Sequence, residues 1–398
     1  MLGIFNDCFP PIMDGVSVTV QNYARWLNRK CNNVCVVTPS VPGTVYDEEF
    51  PVYNYFSLPI PMRKPYRMGF PRVDLPFRSR IGKVGFSLVH AHSPFSSGRL
   101  ALKIAREQNI PIVATFHSKY RADFERAIPN KMVVDYMVKN VVDFYSQADE
   151  VWIPQASVEE TLREYGYKGR VEVVDNGNDF AADTRTDLLR SEGRAMLGAG
   201  RCEPVLLFVG QHIYEKNPQL IIRSLANMRD RSWHMYFIGT GYAAGELRQM
   251  VQSKGLDDRV TFLGQITDRE KLKRCYAAAD VFLFPSLYDN APLVVREAAA
   301  MHTPSLMAQG STAASVIRDN VNGFFVQCRR AGLYGAPGAD SCRRTPAPCC
   351  RRQRTRHAGT LMAGHSRRGL RPLHASRAPS RRHALGMISR MILQPSAS

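Results

Sequence analysis

Short apolar runs alternate with segments of helical periodicity along most of the chain, and this rhythm restricts the fold more than any other feature. The apolar runs have the length of buried strands and lie at residues 2–5, 34–38, 88–90, 112–116, 151–153, 171–174, 205–209, 234–238, 260–263, 281–284 and 305–307. The helical segments lie at residues 18–27, 98–108, 132–146, 157–165, 218–228, 245–254, 269–279 and 293–300. Strands that alternate with helices in this way predict an α/β fold with parallel sheets.

The rhythm breaks once, at the polar and weakly periodic residues 176–200, and then starts again. We therefore predict two doubly wound domains, residues 1–185 and 186–327, which are joined by a linker and face each other across a cleft. Ligands of such sheets bind beyond the carboxyl ends of the strands, so the cleft is the expected site. At the start of one predicted helix, Ser157 and Glu160 have the spacing of a capping box.

The net charge of +18 is distributed unevenly along the chain. Residues 328–398 contain 15 arginines, no lysine and one acidic residue, whereas the preceding 327 residues contain 38 basic and 34 acidic ones. High charge with low hydrophobicity favours disorder, and this segment has neither helical nor strand periodicity. We predict a disordered arginine-rich tail, and its lack of lysine indicates a changed reading frame. The second domain would then be incomplete, so we expect low stability and weak or absent transferase activity. An arm that binds nucleic acid or anionic lipid is the alternative.

The first residues have neither the basic nor the apolar region of a signal peptide, and no apolar run reaches 18 residues. These observations predict a cytoplasmic protein, with peripheral association at the inner membrane face as an alternative. One segment interleaves basic with aromatic residues, and it could seat a lipid surface or form a solvated loop. Its residues are Arg63, Lys64, Tyr66, Arg67, Phe70, Arg72, Phe77, Arg78 and Arg80.

The residues that can carry chemistry follow the predicted strands. Gly15 comes after the first strand and opens the first helix, where a glycine lets backbone approach a phosphate and the helix N-terminus favours negative charge. His117 ends the strand at residues 112–116, and it forms with His90 and His92 a predicted histidine cluster near the cleft. A turn glycine and core histidines are the alternative interpretations.

Three charged residues stand out in the second half. Lys216 lies between a strand and a helix, where a lysine can neutralise a diphosphate. Asp289 and Glu297 lie eight residues apart, one on a loop and one in a helix, and carboxylates accept hydrogen bonds from the vicinal hydroxyls of sugars. Apolar neighbours predict that Glu297 is buried. A solvated lysine, a loop aspartate and a helix-surface glutamate are the alternatives.

The chain resembles the retaining GT-B glycosyltransferases of family four, the group 1 type, over roughly residues 2–327. Five features occur in the family's order: Gly15, His117, the N-G-N-D stretch at residues 176–179, the segment at residues 208–217, and Asp289 with Glu297. The resemblance implies two Rossmann-like domains, with the acceptor on the first and a UDP- or GDP-linked sugar on the second. It also implies retention of anomeric configuration, no metal and no further cofactor. The first 327 residues contain no D-x-D motif.

The resemblance further implies a role for individual residues. His117 and Asp289 would be catalytic, with His117 near the reacting centre and Asp289 on the sugar hydroxyls. Gly15 and Lys216 would hold the phosphates, and Glu297 would hold the ribose. The donor-binding residues that it implies are Gly15, Gln211, Lys216, Asp289, Leu293, Val294 and Glu297.

Four positions depart from the family's pattern, one of which is His302, where a glycine is usual. Gln211 replaces an arginine, so one positive contact to the diphosphate is lost, and Asp289 replaces a longer glutamate. Pro292 replaces a glycine and removes an N–H beside Leu293 and Val294, whose backbone would meet the phosphates or the sugar. These departures leave the class unchanged and affect efficiency or the choice of donor sugar.

Other functions remain open at this stage. A nucleotide-sugar epimerase of the same fold would use the same phosphate and carboxylate contacts and would need no acceptor. An inactive, truncated transferase is a further alternative. A nucleic-acid-binding protein is less favoured, because the charge of the first 327 residues is nearly balanced. The acceptor could be a lipid, a glycan or a small molecule.

Overall fold

The structure, a computed structural model, describes residues 1–61, 65–180, 185–200, 203–228 and 232–326. The predicted arginine-rich tail at residues 328–398 lies outside the described residues. The same is true of Arg63 and Lys64 in the basic and aromatic segment.

The first half of the chain forms a sheet of seven parallel strands and a separate two-stranded hairpin. The sheet has the order β3-β2-β1-β6-β7-β8-β9, and the hairpin is β4-β5. The strands are β1 (Leu2–Phe5), β2 (Val34–Pro39), β3 (Val52–Tyr55), β4 (Ser57–Pro59), β5 (Arg67–Gly69), β6 (Leu88–Ala91), β7 (Ile112–Thr115), β8 (Glu150–Ile153) and β9 (Glu172–Val173). The hairpin and β3 were not predicted, because their strands of three or four residues are too short to show a period.

The helices of this half connect the strands. They are α1 (Gly15–Cys31), α2 (Leu75–Ile81), α3 (Ser96–Gln108), α4 (Tyr120–Ala127), α5 (Lys131–Tyr145) and α6 (Val158–Glu164). A capping box begins α1, since the Asp14 carboxylate accepts from the Ser17 N–H at 2.7 Å and the Ser17 hydroxyl accepts from the Asp14 N–H at 3.0 Å. As predicted, Gly15 is the first residue of this helix.

The capping box predicted at Ser157 and Glu160 is wrong. Ser157 has helical backbone angles (φ −63°, ψ −11°), and its side chain makes no capping hydrogen bond. An N-cap residue needs an extended backbone to turn its hydroxyl back onto the first turn. The Ser157 hydroxyl instead donates across the molecule to the carbonyl oxygen of Thr312 at 3.3 Å.

The second half forms a sheet of six parallel strands in the order β12-β11-β10-β13-β14-β15. Its strands are β10 (Val205–Val209), β11 (His234–Ile238), β12 (Val260–Gly264), β13 (Val281–Phe284), β14 (Ser305–Ala308) and β15 (Gly323–Val326). Its helices are α7 (Thr186–Leu197), α8 (Pro218–Leu225), α9 (Ala244–Ser253), α10 (Arg269–Ala278) and α11 (Leu293–Ala300), with short 3₁₀ turns at Tyr214–Lys216 and Thr312–Val316. The two parallel sheets confirm the predicted α/β class with two Rossmann-like units.

Residues 176–200, interpreted as a polar and weakly periodic linker, contain a helix that was not predicted, because α7 occupies about half of this stretch. The helix packs closely on α10: a Cβ added at Gly193 would lie 2.1 Å from the carbonyl oxygen of Arg274. Arg190 and Arg194 of α7 also pair with the buried Asp280 at the start of β13. The domain boundary near residue 185 stays a prediction.

Candidate active site

Contacts between the two halves converge where the carboxyl ends of the two sheets meet. The Asn290 side-chain amide donates to the carbonyl oxygen of His117 at 2.9 Å, and the Gln211 amide lies 3.5 Å from the Tyr66 hydroxyl. The Gln155 amide donates to the carbonyl oxygen of Thr312 at 2.7 Å. The structure therefore brings the predicted residues of the first half, near His117, against those of the second half, near Gln211.

Lys216 and Asp289 form an ion pair at this cleft. The Lys216 ammonium lies 2.7 and 2.9 Å from the two Asp289 carboxylate oxygens, and the Ser286 hydroxyl donates to the same carboxylate at 2.6 Å. Asn217 has a left-handed backbone (φ 56°) and ends the short turn that carries Lys216. The pair places one cation and one carboxylate at the same point of the cleft.

Glu297 is buried, as predicted, with 3% of its surface exposed. Its carboxylate accepts from the Arg269 guanidinium at 2.7 Å and from the Tyr276 hydroxyl at 2.8 Å. Arg269 also binds Asp179 of the N-G-N-D stretch at 2.6 Å. Burial acts to raise the pKa of Asp179, but the hydrogen bond and charge of Arg269 outweigh it and lower that pKa. Sequence reasoning missed Arg269, which looks like a surface residue at the first turn of a helix.

Two helix N-termini carry other predicted residues. A Cβ added at Gly15 would meet no atom within 4 Å, so crowding by the described residues does not explain this glycine. Helix α11 begins at Leu293, followed by Val294, after an N-cap proline that makes no side-chain hydrogen bond. Backbone N–H groups in the first turn of a helix have no partner within the helix and favour an anion.

The predicted histidine cluster exists, and its rings touch. The His117 Nε2 and His92 Nδ1 atoms lie 2.9 Å apart, and His90 Nε2 lies 2.7 Å from the Thr115 hydroxyl. Burial lowers the pKa of His117 to about 4 and that of His90 to about 3. At neutral pH these imidazoles are uncharged, so His117 can offer a hydrogen bond to a ligand but no positive charge.

We expect acid to destabilise the fold through these rings and through His212, a second-half histidine whose pKa burial and Arg248 lower to about 4. Unfolded histidines bind protons below about pH 6.5. Because the native rings resist protonation until about pH 4, stability is complete above pH 6.5 and falls as the pH decreases towards 4. For each ring, the free energy of unfolding falls by up to about 1.4 kcal/mol per pH unit as the pH decreases through this window.

Urea unfolding of the wild type and of the variant His212→Leu, each at pH 7 and pH 5, checks this expectation. Neither ring nitrogen of His212 has a hydrogen-bond partner among the described residues, and the ring packs against Phe208, Phe237 and Phe262. The leucine variant should therefore lose about 2 kcal/mol less than the wild type between the two pH values. Equal losses in both proteins would contradict the assignment.

Asp7 is a further cleft residue that sequence reasoning missed. Its carboxylate accepts from the Ser93 hydroxyl at 2.5 Å, from the Ser97 N–H at 2.9 Å and from the Ser96 hydroxyl. These contacts fix the start of α3 against the end of β1. The position two residues after a buried strand was the available signal, because parallel strands end at the ligand-binding edge.

Charged and aromatic residues also join the halves beside α4. The Arg126 guanidinium lies 2.8 Å from the Glu215 carboxylate, and the Tyr288 hydroxyl donates to Asp123 at 2.7 Å. Within the described ranges, no cluster of three or more His, Cys, Asp or Glu side chains is arranged to hold a metal ion. Among the same residues, no helix has the length and apolar character needed to span a bilayer.

Comparison with known proteins identifies the two halves. Residues 13–181 match the model of Glycosyltransferase Family 4, and residues 191–333 match that of Glycosyl transferases group 1. The chain is 26% identical over 334 residues to the alpha-monoglucosyldiacylglycerol synthase of Streptococcus pneumoniae, covering 78% of this chain and 71% of that protein. It is 30% identical over 292 residues to the D-inositol 3-phosphate glycosyltransferase of Mycobacterium sp. (strain KMS), covering 69% of this chain and 63% of that protein.

Solved structures share the fold at low sequence identity. The sucrose-phosphate synthase of Thermosynechococcus elongatus superposes with a TM-score of 0.67 at 21% identity, covering 82% of this chain and 85% of that one. Anabaena Alr3699/HepE in complex with UDP and glucose superposes with a TM-score of 0.64 at 18% identity and the same coverage. The chain is therefore a glycosyltransferase of the GT-B fold, with a family 4 domain followed by a group 1 domain.

Proposed function

We propose that this chain transfers a hexose from a UDP- or GDP-linked sugar to an acceptor at a membrane surface, with retention of configuration and without a metal cofactor. The observation that carries the proposal is the Lys216–Asp289 pair at 2.7 Å, which lies at the cleft opposite His117. The names of the relatives support a sugar donor of this kind, since one structure holds UDP and glucose and one relative is a glucosyl-lipid synthase.

The leaving nucleoside diphosphate needs positive charge in the transition state. Lys216 supplies an ammonium, and the N-termini of α1 at Gly15 and α11 at Leu293 supply unpaired N–H groups, all of which stabilise developing negative charge. When the diphosphate draws Lys216 away, the Asp289 carboxylate becomes free to accept from sugar hydroxyls. Gln211 adds a neutral amide at this site where the family's pattern has a cation.

The remaining contacts orient the donor and the acceptor. Glu297, held by Arg269 and Tyr276, keeps carboxylate lone pairs for the two ribose hydroxyls. The neutral His117 ring binds the transferred sugar or the incoming hydroxyl by a hydrogen bond. Both roles require that the ligand lie between the two halves, because these residues belong to different sheets.

A transfer assay with the full chain tests the proposal. UDP-glucose, UDP-galactose, UDP-N-acetylglucosamine and GDP-mannose are each offered with diacylglycerol or inositol phosphate, with and without EDTA. Transfer from one donor that persists in EDTA, and an α-configured product by NMR, are expected. Sugar interconversion without an acceptor would instead show the epimerase, and no turnover or nucleotide binding with any donor would refute the proposed function.

A surface on the first domain supports a lipid acceptor. Leu58 and Met68 are cross-strand partners in the β4-β5 hairpin, so their side chains share one face, and they are 49% and 53% exposed. Phe56 and Phe70 continue this apolar face, with ring centroids 6.2 Å apart. The arginines that follow in the chain are exposed, namely Arg72, Arg78 and Arg80. Apolar side chains beside arginines fit the interface of an anionic bilayer.

We expect the double variant Leu58→Glu/Met68→Glu to bind anionic vesicles at least about tenfold more weakly than the wild type, since each buried apolar side chain contributes about 1.5–3 kcal/mol. Sedimentation with phosphatidylglycerol-containing vesicles measures the partition. Leu188→Glu, at an exposed leucine of α7, is the control and should bind like the wild type. Equal binding by the two variants would exclude the hairpin as the membrane contact.

A further inference from the structure

A lysine of the first domain reaches into the second domain at the centre of the cleft. Lys119 comes two residues after His117, and its ammonium donates to the Thr312 hydroxyl at 2.9 Å. The loop that carries it is fixed on both sides, because Asn290 binds the carbonyl oxygen of His117 and α4 begins at Tyr120. These contacts place Lys119 where its ammonium reaches the second domain.

The charge of this ammonium is poorly compensated. Its hydrogen-bond acceptor, Thr312, is a neutral hydroxyl, and burial lowers the pKa of Lys119 although Asp289 and Glu164 act to raise it. Asp289 already forms a bidentate contact with Lys216. The ammonium groups of Lys119 and Lys216 thus both lie near the Asp289 carboxylate, whose single negative charge cannot neutralise both. The excess positive charge favours binding of an anion in the cleft.

Two buried polar atoms on segments that contact the Lys119 loop also lack a hydrogen-bond partner among the described residues. The side-chain oxygens of Asn290 and Ser311 are buried, and neither has a hydrogen-bond partner among the described residues. An unsatisfied buried polar atom costs free energy, so such atoms are uncommon in folded proteins. Asn290 follows Asp289 in the chain, and Ser311 precedes Thr312. The Asn290 oxygen can accept from a sugar hydroxyl, whereas the Ser311 hydroxyl and the Lys119 ammonium can donate to a phosphate oxygen.

We propose that Lys119 is a donor-binding residue that the first domain contributes to the diphosphate of the nucleotide sugar. The inference rests on the proposed function and adds a residue to its site. On binding, the ammonium turns from Thr312 to a phosphate oxygen and provides the positive charge that Gln211 does not. Because Lys119 belongs to the first domain and Lys216 to the second, tight donor binding requires the two domains to be closed.

Calorimetric titration of the full chain with UDP and GDP tests this role. Lys119→Met should raise the Kd of the preferred nucleotide about tenfold or more, as expected for a lost hydrogen bond between charged groups. Lys139→Met, which removes an exposed lysine of α5 in the same domain, is the matched control and should leave the Kd unchanged. Lys119→Arg should retain most of the affinity.

Two further variants separate a phosphate contact from a structural tie. If Lys119 only ties the domains through Thr312, Thr312→Val must weaken nucleotide binding as much as Lys119→Met does. We expect instead a change of less than about threefold for Thr312→Val, because the hydroxyl is released on binding. Adding Gln211→Arg to Lys119→Met should restore much of the lost affinity, since it returns a cation to the diphosphate.

The outcomes distinguish this inference from the proposed function. Tight binding of UDP or GDP by the wild type, together with equal Kd values for Lys119→Met and Lys139→Met, would overturn the role of Lys119 alone. Equal losses in Lys119→Met and Thr312→Val would overturn it as well. If the wild type binds neither nucleotide, the proposed function fails and the inference fails with it.

Discussion

Replacement of Asp280 by alanine should lower the free energy of unfolding by about 3–5 kcal/mol, because it leaves buried charges without their partner. The Asp280 side chain is 3% exposed and lies 2.5 Å from the Arg190 guanidinium and 3.4 Å from that of Arg194. It also accepts from the backbone N–H of Val205 at 2.9 Å, at the first residue of β10. One carboxylate therefore joins α7, β10 and β13.

Urea unfolding followed by circular dichroism measures this loss at pH 7. Asp258→Ala is the matched control, because Asp258 is 74% exposed in its ion pair with Arg259, and exposed pairs contribute about 1 kcal/mol or less. A loss in Asp280→Ala no larger than that of the control would show that α7 is held by apolar packing alone. A loss of α7 helicity before the main transition would indicate that this carboxylate chiefly docks the helix.

This buried network also explains why the sequence did not predict α7. The stretch is polar, and the partners of Arg190 and Arg194 lie at Asp280, almost ninety residues later in the chain. A pattern within a short window cannot show such a contact. The strands were predictable for the opposite reason. All residues of β2, β10, β13 and β14 are buried, so each strand appears in the sequence as an apolar run, with polar residues only at Thr38 near the end of β2 and Ser305 at the start of β14.

In the candidate site too, the sequence predicts individual residues but does not predict the distant residues that they contact. Residue type and position after a strand indicated Lys216, Asp289 and Glu297, and the burial of Glu297 followed from its apolar neighbours. Their partners were not predictable, because Arg269 and Lys119 are basic residues near helix starts and look like solvated side chains. Only the fold shows that each of these two residues points at a cleft group from another element.

Replacement of Lys216 by methionine should lower kcat/KM for the nucleotide sugar by about 100-fold to 1000-fold, the range typical for loss of one group that stabilises a developing charge. The ammonium lies 5.2 Å from the centre of the Phe284 ring and pairs with Asp289, so its position is defined before the donor binds. Steady-state rates of transfer and the Kd of UDP measure the two parts of the effect. Lys271→Met, at an exposed lysine of α10, should leave both unchanged.

The ion pair with Asp289 offers a second explanation for such a loss, and a double variant separates the two. Lys216→Met alone leaves a partly buried carboxylate without its cation, which lowers stability as well as activity. Asp289→Asn in the same chain removes that charge while keeping the hydrogen bond from Ser286. If Lys216 acts on the leaving diphosphate, the double variant regains stability but stays at least as slow as Lys216→Met. If the lysine only neutralises Asp289, the double variant turns over as fast as Asp289→Asn alone, and the role of Lys216 in transfer must then be abandoned.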